Sequence, residues 1–136
     1  MKTIYTSNYA RNGGSENAFA ISAGPPRWYT GDRIPALAPS WALLGAYKEG
    51  GMTPAQYREQ YLEELAATKL DPKEVADALP EGAFLLCYES PTEFCHRHIV
   101  AEWLNQVEGV RVVEWMNEKE LAQRRHEDHV VSLLEF

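Results

Sequence analysis

Residues 83–115 limit the possible folds more than any other stretch. Ala83 to Tyr88 is the most apolar run and reads as a buried central strand. From Phe94 or Cys95 to Val107, the residues Ile99, Val100, Trp103, Leu104 and Val107 recur at helical spacing, and Gly109 ends the helix. Arg111 to Trp115 is a further strand. Strand, helix, strand over this span is a crossover unit, which demands parallel pairing and right-handed winding. It brings the carboxyl end of one strand and the amino end of the next helix to a common rim, where open α/β sheets bind ligands.

The rest of the chain fits around that unit. Lys2 to Ser7 is β-rich and alternating, and Ala18 to Ser22 is a short apolar strand. Between them, Asn8 to Asn17 reads as a loop, since it contains Arg11, Asn12, Gly13, Gly14 and Ser15. Ala23 to Ala38 holds Gly24, Pro25, Pro26, Gly31 and Pro35, too many breakers for a helix, and reads as a long ordered loop. Pro39 to Lys48 predicts a short helix, with Trp41 and Leu44 on one stripe. Thr53-Pro54 and Asp71-Pro72 each pair a capping oxygen with proline at the first helical position. The first opens a helix with a Tyr57, Tyr61, Leu65 stripe, and the second a helix reaching Leu79. A last helix is expected from Asn117 to about His126, with the apolar end Val130 to Phe136 docking as a strand or packing on the sheet. The expected architecture is a single α/β domain over residues 1–136: three layers, with a mostly parallel sheet of four to five strands flanked by helices. A two-layer α+β arrangement is the alternative.

The rim of the crossover concentrates the chemistry. Cys87, Glu89, Glu93, Cys95, His96 and Arg97 fall within one strand-turn-helix. A helix amino end presents unpaired N–H groups and about half a positive charge, which favours anions and a thiolate. Cys95 and His96 are the candidate catalytic pair, a nucleophile and a proton carrier. Arg97 offers a forked donor suited to phosphate or carboxylate. Glu89 and Glu93 are placed to orient His96 or Arg97, or to oppose an anion, and Glu89 is also a candidate ligand contact. Cys87 is a candidate ligand contact, against the plainer reading of a small buried hydrophobe. Loops from the other strand ends reach the same rim, which adds Asn8, Arg11, Arg27 and Trp28 as candidate ligand contacts. Aromatics beside arginines suit a ring plus a phosphate, although Trp28 and Tyr29 could equally pin their loop to the core. No cofactor is expected, because glycine-rich dinucleotide and P-loop fingerprints are missing. No metal is assigned: the spacing of Cys87, Cys95 and His96 departs from that of common zinc knuckles. A Cys87–Cys95 disulfide is a minority alternative.

Charge narrows the partners. The net charge is -7, but residues 1–58 carry 6 bases against 3 acids and the remainder 7 bases against 17 acids. Such an acidic protein lacks the broad basic surface that duplex nucleic acid requires, so a small anionic or nucleotide-like ligand is the expected partner. No apolar run approaches the roughly twenty residues that span a bilayer, and the first residues lack a secretory apolar core. A cytoplasmic location with reduced thiols is expected, and no membrane partner.

The run Leu85-Leu86-Cys87-Tyr88-Glu89, then Cys95-His96-Arg97-His98 and Ala101-Glu102-Trp103-Leu104, resembles the family catalogued as domain of unknown function 488. The opening Ile4-Tyr5-Thr6-Ser7-Asn8-Tyr9 and the segment Tyr57-Arg58-Glu59-Gln60-Tyr61 are similar to it as well. Where many members carry Asp-Val-Arg after the second strand, this chain has Ala20-Ile21-Ser22-Ala23-Gly24, the mark of a short, divergent branch. The resemblance implies an α/β domain with its site at the Cys-His-Arg turn, and it implies no settled activity.

Three functions compete at this stage. The first is a Cys/His-dependent enzyme acting on a phosphate-bearing or nucleotide-like substrate. The second is a non-catalytic module that binds a nucleotide or a nucleic-acid end. The third is an interaction protein whose turn is only structural.

Overall fold

The computed structural model describes residues 1–89 and 94–134. Five strands form one sheet: β1 (Lys2–Asn8), β2 (Ala18–Ala20), β3 (Asp32–Arg33), β4 (Ala83–Cys87) and β5 (Val110–Glu114). Their order is β3-β2-β4-β1-β5, and each neighbouring pair is parallel. The helices are α1 (Tyr9–Asn12), α2 (Trp41–Lys48), α3 (Pro54–Thr68), α4 (Pro72–Ala78), α5 (His96–Asn105) and α6 (Glu118–Leu134). This is the three-layer α/β fold that the crossover unit demands.

Strand alternation sorts the side chains. Ile4, Ala83, Leu85 and Val112 point to one face, where they pack with Tyr57, Tyr61, Leu65, Val75, Ile99, Val100 and Leu104 of the helices. Ala18, Ala20 and Leu86 point to the other face and meet Tyr9 and Tyr29. Each large apolar side chain fully buried this way contributes about 1.5–3 kcal/mol. Cys87 shares the helix-covered face with Leu85, because it follows two residues later.

Local chemistry sets the element ends. Thr53 and Gln56 form a reciprocal capping box at the start of α3. Asp71 accepts from the Lys73 N–H at the start of α4. The Lys2 ammonium donates to the Ala76 and Leu79 carbonyls at 2.8 and 2.7 Å, so it closes the other end of α4. Gly109 takes φ 80°, a conformation suited to glycine, and turns the chain from α5 into β5. The Asn105 side chain then accepts from the Val112 N–H at 2.8 Å and donates to its carbonyl at 3.1 Å.

Three expectations need correction. The segment Asn8–Asn17, read as loop, opens with helix α1, a single turn capped by Asn8 and too short to show a periodic stripe. The loop from Ala23 to Ala38 contains a strand, β3, and a 3-10 turn at Pro35–Leu37. Asp32 and Arg33 are exposed and charged, so the strand carries no apolar pattern; it is a short, charged edge of the kind that resists pairing with another chain. Among the described residues, the apolar tail from Val130 to Leu134 neither forms a strand nor packs on the sheet. It continues α6 to Leu134, with no buried residue in that helix, and Leu133 and Leu134 are 60% and 79% exposed. The cause is helical continuity: the polar run Glu118–His129 contains no breaker before Val130. Glu135 and Phe136 lie outside the described residues.

Asn105→Ala should lower unfolding free energy by about 1–3 kcal/mol in urea denaturation, because it leaves a half-buried backbone pair of β5 without partners. A change near zero would remove Asn105 as the link between α5 and β5.

Candidate functional site

The carboxyl ends of β1, β4 and β5 and the amino end of α5 meet on the helix-covered face. In the sheet register Asn8 lies beside Cys87, and Thr6 beside Glu114. Cys95 is the residue that precedes α5, in extended conformation, and its side chain makes no capping bond. His96 and Arg97 occupy the first helical positions, and both are buried.

Arg97 is fully enclosed. Its Nε donates to Glu114 Oε1 at 3.1 Å and its Nη2 to Oε2 at 2.9 Å, a bidentate pair. Thr6 Oγ1 donates to the same carboxylate at 2.7 Å. Nη1 donates to the Glu89 carbonyl at 2.7 Å and to Cys87 Sγ at 3.1 Å. The guanidinium therefore faces a sulfur and a carboxylate, not the open cleft. It favours negative charge on Cys87.

His96 is held from the other side. Its Nε2 lies 2.7 Å from the Ile21 carbonyl. A carbonyl oxygen can only accept, so Nε2 carries the proton and Nδ1 keeps its lone pair. Nδ1 lies 3.6 Å from Cys95 Sγ. The Tyr61 ring packs edge-on against the imidazole, with centroids 5.4 Å apart. Burial lowers the imidazole to about 4 from the ordinary 6.5; the Ile21 bond pulls upward, and the charges of Arg97 and His98 add to the lowering. His96 is thus a neutral base at physiological pH.

The Cys87 and Cys95 sulfurs are in contact, with Cα atoms 7.7 Å apart. That span is wider than the roughly 4.4–6.8 Å usual for a disulfide. Among the described residues, Cys87, Cys95 and His96 also form the one group of metal-capable ligands, with ligand atoms within 4.8 Å of one another. Two thiolate sulfurs and an imidazole nitrogen suit a borderline, thiophilic ion such as zinc.

Two adjoining clefts open onto the sulfurs. The larger, about 360 Å³, is lined by Cys95, His96, Glu89, Lys48 and the rings of Tyr47, Tyr57 and Phe94. The smaller, about 120 Å³, reaches Cys87 from the side of Ser22, Trp41 and Tyr88. Burial, and then the charge of Glu89, raise the Tyr57 hydroxyl above its ordinary value, so it remains a neutral donor.

The other expected contacts are spread more widely. Asn8 caps α1 through the Arg11 N–H at 2.9 Å and donates to the Glu89 carbonyl at 3.3 Å, so it positions Glu89. Arg11 pairs with Glu120 at 2.6 Å and lies over the Trp115 ring. Arg27 is exposed on the loop after β2. Trp28 packs edge-on against Tyr9, on the sheet face opposite Cys87. Arg11, Arg27 and Trp28 do not line either cleft. Glu93 lies outside the described residues.

Sequence reasoning missed Lys48, Tyr47, Tyr57 and Glu114. For Glu114 there was a signal: in Val110, Val112, Glu114 the acid shares the inward phase of the strand with Val112, where it needs a cation. For Lys48 there was none, because its position depends on how α2 packs against α3.

The fold and this site define an α/β protein with a cysteine–histidine cluster at the carboxyl edge of a parallel sheet. Residues 7–108 match the family described as the active DUF488-N3 subclade, and the chain belongs to that family. No curated protein and no solved structure matches it. Among the described residues, no helix is long and apolar enough to cross a membrane.

Glu114→Ala should cost about 3–5 kcal/mol in chemical denaturation, since it strips the buried guanidinium of its counter-charge. A cost below 1 kcal/mol would mean the pair is dispensable.

The His96 imidazole sets a pH dependence. Its folded value lies below its unfolded one, so the unfolded chain binds the proton more readily between pH 6.5 and 4. Stability from this group is complete above about pH 6.5, falls as pH drops, and levels off below about pH 4. The span is roughly 3 kcal/mol. Denaturation curves at pH 7 and 4.5 should show a smaller loss in His96→Gln than in the wild type; equal losses would contradict a buried neutral imidazole.

Proposed function

We propose that the protein is a cysteine-dependent enzyme acting on a small anionic, nucleotide-like substrate, with Cys95 as nucleophile and His96 as its base. The observation that carries this reading is the bond from His96 Nε2–H to the Ile21 carbonyl, which leaves the Nδ1 lone pair turned to Cys95 Sγ. Nucleophile, base and an orienting acceptor in series are the recurring arrangement of activated thiols. The family description, an active subclade, supports catalysis over mere binding.

The cleft supports the substrate class. Lys48 supplies a cation for phosphate or carboxylate, the Tyr47, Tyr57 and Phe94 rings suit a flat group, and Glu89 suits a ring N–H. Arg97, in this reading, holds the cluster together and does not grip substrate. The acidic remainder of the surface disfavours broad duplex binding.

Paired alkylators test the reading. In the reduced protein, anionic iodoacetate should modify Cys95 in preference to neutral iodoacetamide, and Lys48→Ala should abolish the preference. His96→Gln should slow modification by about 10²-fold or more. A Cys95 inert to both reagents removes the nucleophile. Equal reactivity in His96→Gln removes the base.

A further inference from the structure

Two buried sulfurs meet at this site, and their surroundings differ. Cys95 lines the larger cleft and faces a neutral imidazole nitrogen. Cys87 lines the smaller cleft and receives an Arg97 N–H at 3.1 Å. The imidazole serves a thiol that must shed its proton during attack. The guanidinium places a fixed N–H donor on the other sulfur, a position that stabilises it as a thiolate. A cysteine that merely fills apolar space requires no fixed cation.

Contact between the sulfurs adds the decisive geometry. Any group joined to Cys95 through sulfur stands within reach of a second, cation-stabilised sulfur. A neighbouring thiolate discharges such an adduct by exchange.

We propose that Cys87 and Cys95 form a dithiol–disulfide pair that reduces small anionic disulfides, with Cys95 attacking and Cys87 resolving. This deepens, and rests on, the reading of Cys95 as nucleophile. In the first step Cys95 Sγ attacks one sulfur of the substrate R–S–S–R, and His96 Nδ1 takes the Cys95 proton. The substrate S–S bond breaks, and the leaving RS⁻ recovers that proton as RSH. In the second step the Cys87 thiolate attacks Cys95 Sγ. The mixed disulfide breaks, the second RS⁻ departs, and the Cys87–Cys95 bond forms. The two protein sulfurs together lose two electrons and the substrate gains two. An external small thiol reverses the sequence and restores the dithiol. Lys48 gives the cleft its preference for anionic R groups.

Glutathione disulfide is the probe, applied to the reduced full chain and followed by intact mass and released thiol. The wild type should release two glutathione thiols per chain and lose two hydrogens, with no lasting adduct. Cys87→Ser should stop after one release and hold one glutathione on Cys95; Cys87→Ala gives the same result if the serine disturbs folding. Cys95→Ser should slow the first release at least tenfold. A lasting adduct on the wild type, or an adduct formed first on Cys87, overturns the pair. So does a zinc ion that must be chelated from Cys87, Cys95 and His96 before either thiol reacts. No reaction with glutathione disulfide, when iodoacetate still modifies Cys95, overturns the pair but leaves the nucleophile. Inertness to both reagents removes both readings.

Discussion

The buried guanidinium of Arg97 organises the rim. It joins β5 through Glu114, the end of β4 through Cys87, and the segment beyond β4 through the Glu89 carbonyl. A charge removed from water at this depth persists only when paired and fully hydrogen-bonded. Each partner is therefore held to a narrow position, and Thr6 extends the constraint to β1 by bonding the same carboxylate. The thiol cluster is rigid because an ion pair under it has no tolerable alternative arrangement.

A second restraint acts on the imidazole. The Ile21 carbonyl, just past β2, decides which nitrogen of His96 holds the proton. Strand β2 thus contributes no reactive side chain yet settles the protonation pattern of the site. A backbone acceptor does not depend on side-chain identity, so the residues after β2 can vary without changing this bond.

Much of the architecture was legible from pattern. The apolar run at Ala83, the helical stripe after Cys95 and the two cap-plus-proline signals each reflect local energetics strong enough to survive tertiary context. Strand β3 was hidden because two exposed charged residues have no periodicity to read. The helical tail was misjudged because apolar content alone does not separate strand from helix. At the rim, the grouping of Cys87, Cys95, His96 and Arg97 was readable, since covalent nearness and the strand-to-helix turn place them together. The direction of Arg97 was not. Its partner Glu114 is supplied by a different strand, and only the phase of β5 hints at it.

That phase has a consequence for the connection between α5 and β5. Asn105 grips Val112 by both its N–H and its carbonyl, and Glu114 follows two positions later on the same side of the pleat. Adding or deleting a single residue between Val112 and Glu114 would turn the acid toward the far layer and strand the guanidinium below the sulfurs. The spacing between Val112 and Glu114 within β5 is therefore pinned by a counter-ion two layers of contact away from the reactive sulfur.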